Sequence, residues 1–129
     1  MEMIVDFPGN AKVDAHFGPY TVQTDQSKED GGDGSAPSPL LMFLSSIGTC
    51  AGIYALRFCQ KRGISTKGLR IVQRMSSNQA TGMVEKVELQ LELPENFPMK
   101  YRDAIINAVE LCSVKKHLHT PPTFVIVTK

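Results

Sequence analysis

The longest apolar stretch of the chain runs from residue 38 to residue 63 and predicts one long helix. Ser38 can cap its start, and Pro39 suits the first helical position because a backbone donor there would have no partner. Gly63 can supply the left-handed residue that ends it. No charge occurs between Pro39 and Leu56, so we expect the helix to be buried on all sides, in protein or in lipid.

Apolar and polar residues alternate in short segments on both sides of this helix, and this period of two predicts strands. Before the helix, strands are predicted at residues 12–17 and 20–24 from alternation and at residues 3–5 from a short apolar run. Residues 25–34 contain no apolar side chain and are expected to form a mobile loop. After the helix come a predicted hairpin (69–75 and 87–93), an amphipathic helix (99–111), a short helix (113–118) and a strand apolar on both faces (123–127). The order of elements indicates an α+β fold with antiparallel sheets.

Composition limits the choice of protein class. A chain of 129 residues predicts a single domain, residues 1–129. Its 42% hydrophobic and 21% charged residues are ordinary for a globular protein. The net charge of +1 gives no field that would attract nucleic acid, so we expect no nucleic-acid partner.

The uncharged helix is close in length to a membrane span, which is the less favoured alternative. Ser45, Ser46, Gly48 and Thr49 dilute its apolar character midway, and the rest of the chain has a soluble pattern. We therefore expect no membrane partner. A small domain has few other elements with which to enclose such a helix.

A stripe of small residues offers a way to cover the helix. Gly48 and Gly52 form GxxxG, extended by Ser45 and Ala55, and such a stripe lets another backbone approach closely. This favours a homodimer in which the same helix of a second subunit packs against it. The alternative is that the stripe lies under a strand of its own chain.

The three cysteines are an odd number, which is not a secreted disulfide framework, so we expect a cytoplasmic protein with free thiols. Cys50 and Cys59 point to opposite sides of the helix and cannot pair within it. Cys112 lies at a predicted helix junction, where free N–H groups and the following Lys115 would favour its thiolate. Taken singly, each is most often a small buried apolar residue.

Metal sites are not favoured by the spacing of possible ligands. The acidic loop at 25–34 does not have the EF-hand positions and lacks the closing glutamate. Cys112, His117 and His119 could be read as a cluster, but histidines two positions apart do not share a helix face. We expect no metal and no cofactor.

Taken together, these residues resemble the OsmC-like family, which includes the organic hydroperoxide resistance proteins. The resemblance is carried by Ala36-Pro37-Ser38-Pro39, by Cys50 eleven positions after Pro39, and by Cys112-Ser113-Val114 after an amphipathic helix. It implies an intertwined homodimer in which two antiparallel sheets wrap around paired central helices. It also implies that Cys50 attacks a hydroperoxide, that Cys112 resolves the sulfenic acid as a disulfide, and that a dithiol reduces the disulfide.

The chain departs from the hydroperoxide-reducing members at two positions. Those members have a glutamate just after the proline and an arginine in the N-terminal strands; this chain has Leu40 and Leu41, and its first arginine is Arg57. The departure keeps a second interpretation open, a non-catalytic dimer that binds a small hydrophobic ligand in its cleft. Phe43, Ile47 and Tyr54 are candidates to line the pocket in either case.

Overall fold

A computed structural model describes every residue, 1–129, as two compact units, residues 1–45 and 46–129. In chain order the elements are β1 (Ile4–Gly9), β2 (Lys12–Phe17), β3 (Tyr20–Thr24), α1 (Pro39–Lys61), β4 (Arg70–Ser77), β5 (Val84–Glu92), α2 (Arg102–Glu110) and α3 (Ser113–His119). One turn of 3₁₀ helix, Met99–Tyr101, leads into α2. The α+β class with antiparallel sheets is confirmed.

In the first unit, β1, β2 and β3 form an antiparallel meander in that order, as predicted. Side chains opposite each other in this ladder share a face, so the register separates a polar face from an apolar one. Asp14 lies between Asp6 and Gln23 on the polar face, and Ala15 lies between Val5 and Val22 on the other.

The loop after β3 is held by one buried carboxylate. Asp25 is completely buried and accepts hydrogen bonds from the backbone N–H groups of Gln26, Asp33 and Ser35, at 2.8, 3.3 and 3.0 Å, and from the Ser35 hydroxyl at 2.6 Å. The Ser35 hydroxyl and these N–H groups lower the pKa of Asp25 to about 2. Residues 25–34 form a loop, as predicted, and the carboxylate of an acidic residue within it closes it. Its mobility stays a prediction.

Both ends of α1 are capped as predicted. The Ser38 hydroxyl accepts a hydrogen bond from the Leu41 N–H at 3.3 Å. At the other end Gly63 has φ of 63°, and the N–H groups of Gly63 and Ile64 bond to the carbonyls of Gln60 and Cys59. These two bonds are the Schellman pattern, which only a residue tolerant of positive φ completes without strain.

The core of the second unit lies between α1, the β4–β5 hairpin and α2. Its buried members are Ala51, Ala55, Phe58, Cys59, Phe97, Ile105 and Val109. Leucines at alternate positions of β5 pack against them, which explains the alternation seen in the sequence. The predicted hairpin and amphipathic helix are both confirmed.

Much of α1 is not covered within one chain. Only 22% of its most apolar 18-residue window is buried, and the helix is long and apolar enough, by length and composition alone, to cross a membrane. A Cβ at Gly48 would collide with the Gln73 side chain of β4, so at Gly48 the small-residue stripe lies under a strand of its own chain. At Gly52 a Cβ would meet nothing within 4 Å. Burial of the helix on all sides therefore requires a surface from outside the chain.

The C-terminal segment differs from its prediction. Residues 121–129 form no strand within the chain, although 123–127 were expected to be a central one. A strand needs a partner for its backbone groups, and here the chain supplies none. Phe124 and Ile126 are 82% and 98% exposed.

Candidate thiol site

Cys50 lies near the middle of α1 and is half-buried. Gly48, Thr49 and Gly52 around it are weak helix formers, so packing rather than propensity holds this part of the helix. Ala51, next to Cys50, is fully buried in the core. Tyr54 follows Cys50 by four positions, which places both side chains on the same side of the helix, about 6 Å apart along its axis.

The same side of α1 contacts the segment that contains Cys112. The Tyr54 hydroxyl lies 3.2 Å from the Ser113 hydroxyl, a hydrogen bond between residues 59 positions apart in the chain. Ser113 is the residue after Cys112, so this bond ties the Cys112 segment to the part of α1 just beyond Cys50. Ser113 belongs to the motif Cys112-Ser113-Val114, but its contact with Tyr54 was not predicted, because nothing local indicates a contact over this separation.

Cys112 forms the junction between α2 and α3, as the sequence predicted. It is the N-cap of α3, and its Sγ accepts a hydrogen bond from the Lys115 N–H at 3.4 Å. The side chain is completely buried. The hydrogen bond from this N–H fixes the position of the Cys112 sulfur at the start of α3.

Cys59 lies in a different environment. It is completely buried in the core, and burial raises the pKa of its thiol, with the Arg62 charge opposing that rise in part. A neutral thiol surrounded by core side chains is a poor nucleophile. All three cysteines are free thiols in this structure.

A groove of about 590 Å³ lies between α1 and α2. Its lining residues are Tyr54, Arg57, Phe58, Lys61, Arg62, Ala104, Asn107, Ala108 and Leu111. The lining contains three cations and no carboxylate, over a partly apolar floor. The size is typical of a small-molecule site.

Aromatic rings hold one of these cations in place. The Arg62 guanidinium carbon lies 3.6 Å from the centroid of the Phe58 ring and 5.4 Å from that of Tyr101. Arg62 also donates a hydrogen bond to the Phe58 carbonyl at 3.3 Å. Stacking and hydrogen bonding therefore fix the guanidinium at the C-terminal end of α1, where the helix dipole favours a cation.

The remaining residues predicted for the site differ in their exposure. Tyr54 lines the groove, Ile47 is buried and Phe43 is 43% exposed. Leu40 and Leu41, which occupy the helix start, are both more than half exposed and carry no charge. Arg57 and Lys61 lie one helical turn apart, so both line the groove. This i, i+4 spacing of two cations is a sequence signal for a basic patch on one side of α1.

Comparisons with known proteins agree with this architecture. The family model described as OsmC-like protein matches residues 32–127. An OsmC-like protein from Mycoplasma pneumoniae superposes with a TM-score of 0.71 at 14% identity, covering 93% of this chain and 87% of that one.

Two other solved structures have the same fold. A protein from Psychrobacter arcticus, described as an osmotic stress induced and detoxification response protein, is similar with a TM-score of 0.74 at 19% identity, covering 88% of this chain and 85% of that one. An organic hydroperoxide resistance protein from Legionella pneumophila has a TM-score of 0.57 at 16% identity, covering 92% and 89%. No curated protein matches the sequence.

Proposed function

The chain belongs to the OsmC-like protein family, and we propose that it reduces organic hydroperoxides, with Cys50 as the attacking thiol and Cys112 as the resolving one. The observation that carries the proposal is the hydrogen bond between Tyr54 and Ser113. It joins Ser113, the residue after Cys112, to Tyr54, which lies on the same side of α1 as Cys50.

The reaction balances with the two thiols and an external dithiol. The Cys50 thiolate attacks one oxygen of the hydroperoxide, the O–O bond breaks, and the alkoxide leaves as an alcohol after taking a proton. Cys50 is then a sulfenic acid. The Cys112 sulfur attacks the Cys50 sulfur, water leaves, and a disulfide forms. A dithiol reduces this disulfide by exchange and is itself oxidised to a disulfide.

The environments of the three cysteines support this division of roles. Cys50 is half-buried and therefore within reach of a small substrate, whereas Cys59 is enclosed and its pKa is raised. Cys112 is buried with a backbone N–H on its sulfur, which suits a thiol that reacts only with a neighbouring sulfur. Leu40 and Leu41 follow Pro39 where a glutamate is expected, and the N-terminal strands contain no arginine, so we expect a slower reaction of Cys50 than a thiolate supported by that pair would give.

The test is peroxide consumption by the purified protein with cumene hydroperoxide and dihydrolipoamide. Cys50→Ser should abolish turnover, whereas Cys59→Ser, the matched control on the same helix, should retain it. After one equivalent of peroxide without reductant, mass spectrometry of the non-reduced digest should find Cys50 joined to Cys112. No turnover by the wild type, or a crosslink that includes Cys59, would contradict the proposal.

The protein is further proposed to act as an intertwined cytoplasmic homodimer. Support comes from the apolar surface that one chain leaves open, on α1 and on residues 123–127, where Val125 and Val127 are 79% and 83% exposed. Light scattering should report twice the 14.2 kDa chain mass. An Ile126→Asp variant should shift the distribution towards the monomer, and a wild-type monomer would refute the assembly.

The groove between α1 and α2 favours a second candidate function, the binding of a small hydrophobic ligand without catalysis. Its apolar floor and its rim of Arg57, Lys61 and Arg62 suit an apolar body with an anionic end. Binding of 8-anilinonaphthalene-1-sulfonate, weakened by Arg57→Gln but not by Arg74→Gln, an arginine of β4 that does not line the groove, would support it. Saturable binding without peroxide turnover would favour this function over the first.

A further inference from the structure

The polar face of the β1–β2–β3 sheet brings together three side chains that the thiol chemistry does not use. Asp6 and Asp14 are directly opposite each other on β1 and β2. His16 follows Asp14 by two positions on β2, so it points to the same face. One possible ligand atom from each of the three lies within 4.8 Å of the other two.

Asp14 is the most buried residue of this cluster, and its carboxylate has no hydrogen-bond partner within the chain. Its residue is 92% buried (8% exposed), and no side-chain hydrogen bond reaches it. Like charges directly opposite on neighbouring strands destabilise a sheet, and a buried charge without partners is costly. Lys12 acts on Asp14 only at a distance, because its ammonium group is bound to Asp33 at 2.8 Å. The cluster therefore lacks positive charge where the two carboxylates meet.

His16 is oriented as metal-binding histidines are. Its Nδ1 lies 3.0 Å from the Thr21 hydroxyl on β3, and its Nε2 lies 3.2 Å from the Asp6 carboxylate. Nε2 is buried and forms no hydrogen bond of good geometry. When Nδ1–H donates to Thr21, Nε2 carries the free lone pair beside the Asp6 carboxylate, which is the arrangement that an outer-shell partner gives to a metal ligand.

We propose that Asp6, Asp14 and His16 bind a divalent transition-metal ion of the zinc class, which crosslinks β1 to β2. Two carboxylate oxygens and one imidazole nitrogen are a ligand set that such ions accept, with water in the fourth position. Metal–ligand distances of about 2.0–2.2 Å need the three atoms to be roughly 3.5 Å apart, so the cluster contracts on binding. The ion's two positive charges offset those of the carboxylates. This site is independent of the thiol chemistry proposed above.

The test is calorimetric titration of the purified protein with Zn²⁺ alone. One ion per chain is expected, together with a rise of several degrees in the Tm. Asp14→Asn and His16→Gln should weaken binding at least tenfold. Glu29→Gln, an exposed acid of the same unit, and His119→Gln, an exposed histidine, are the matched controls and should leave binding unchanged. Absence of saturable binding, or equal binding by Asp14→Asn, would overturn the proposal.

Two further measurements separate this site from the thiols and from misfolding. With Co²⁺ as the probe, the absorption spectrum should lack a thiolate-to-metal band, and Cys50→Ser should bind as the wild type does; a thiolate band would overturn the assignment. Asp14→Asn removes one of two opposed like charges, so without metal its Tm should equal or exceed that of the wild type. A lower Tm without metal would mean that Asp14 has a stabilising partner already, which contradicts the argument.

Discussion

Removing the Tyr54 hydroxyl tests whether its contact with Ser113 matters to the pairing of Cys50 with Cys112. The Tyr54→Phe variant keeps the ring and its packing and deletes only the hydrogen bond of 3.2 Å. If that bond helps to hold the Cys112 segment against α1, its loss lowers the fraction of molecules in which the disulfide can close. The first step, attack of Cys50 on peroxide, should be unchanged.

The size of the effect follows from the exposure of the bond. A protein hydrogen bond contributes about 0.5–1.5 kcal/mol net, and this one is exposed to water, so about 0.5–1 kcal/mol applies. That free energy corresponds to a roughly two- to fivefold slower formation of the disulfide. Tyr101→Phe is the matched control, because the Tyr101 ring contacts Phe58 and Arg62 rather than Ser113.

The assay is rapid mixing with one equivalent of cumene hydroperoxide, an acid quench, and mass spectrometry of the sulfenic and disulfide forms against time. Slower disulfide formation in Tyr54→Phe, with an unchanged loss of the Cys50 thiol, is the expected result. An unchanged rate of disulfide formation would refute the reasoning, and an equal slowing in Tyr101→Phe would show a general loss of packing instead.

Three predictions concern stability. Gly63→Ala should lower the free energy of unfolding by about 1–2 kcal/mol in urea titrations, because alanine is strained at φ of 63°, and Gly63→Asn should lower it less; equal values for both would contradict the αL argument. Ile105→Ala should cost about 2–5 kcal/mol and Ile106→Ala far less, since the first is fully buried and the second is 41% exposed. Asp25→Asn should be less stable than the wild type above pH about 4, where the wild-type carboxylate is ionised in both states. Since folding lowers the pKa of Asp25 to about 2, the difference should shrink as pH falls through that range, and acid unfolding curves that stay parallel would refute it.

Local signals in the sequence predicted most of the fold. Ser38, Pro39 and Gly63 marked the ends of α1, and period-two alternation located four of the five strands, because caps and pleats depend on residues close together in the chain. An apolar run at residues 3–5 marked only the start of β1. The strand at 123–127 could not be judged in this way. Its apolar composition indicates burial, but whether a partner strand exists is not a local property.

The candidate site shows the same limit. Cys112 at a helix start was predictable, since Ser113 begins a short helical segment. The contact between Tyr54 and Ser113 was not, because it depends on how α1 and α3 pack. The buried Asp25 and the pairing of Asp6 with Asp14 were missed because composition marks acidic residues as solvated, whereas the fold decides which of them lose water.

The exposed C-terminal segment, residues 121–129, affects how the chain behaves before it meets a partner. Residues 124–127 are four consecutive exposed apolar residues in a segment that forms no strand within the chain, and such a segment can pair with any open sheet edge. A newly synthesised chain that stays monomeric is therefore prone to aggregation. If a second copy covers the tail, folding becomes linked to encounter, and the melting temperature should climb as the sample is concentrated. The expression level would then help to determine the fraction of chains that fold rather than aggregate.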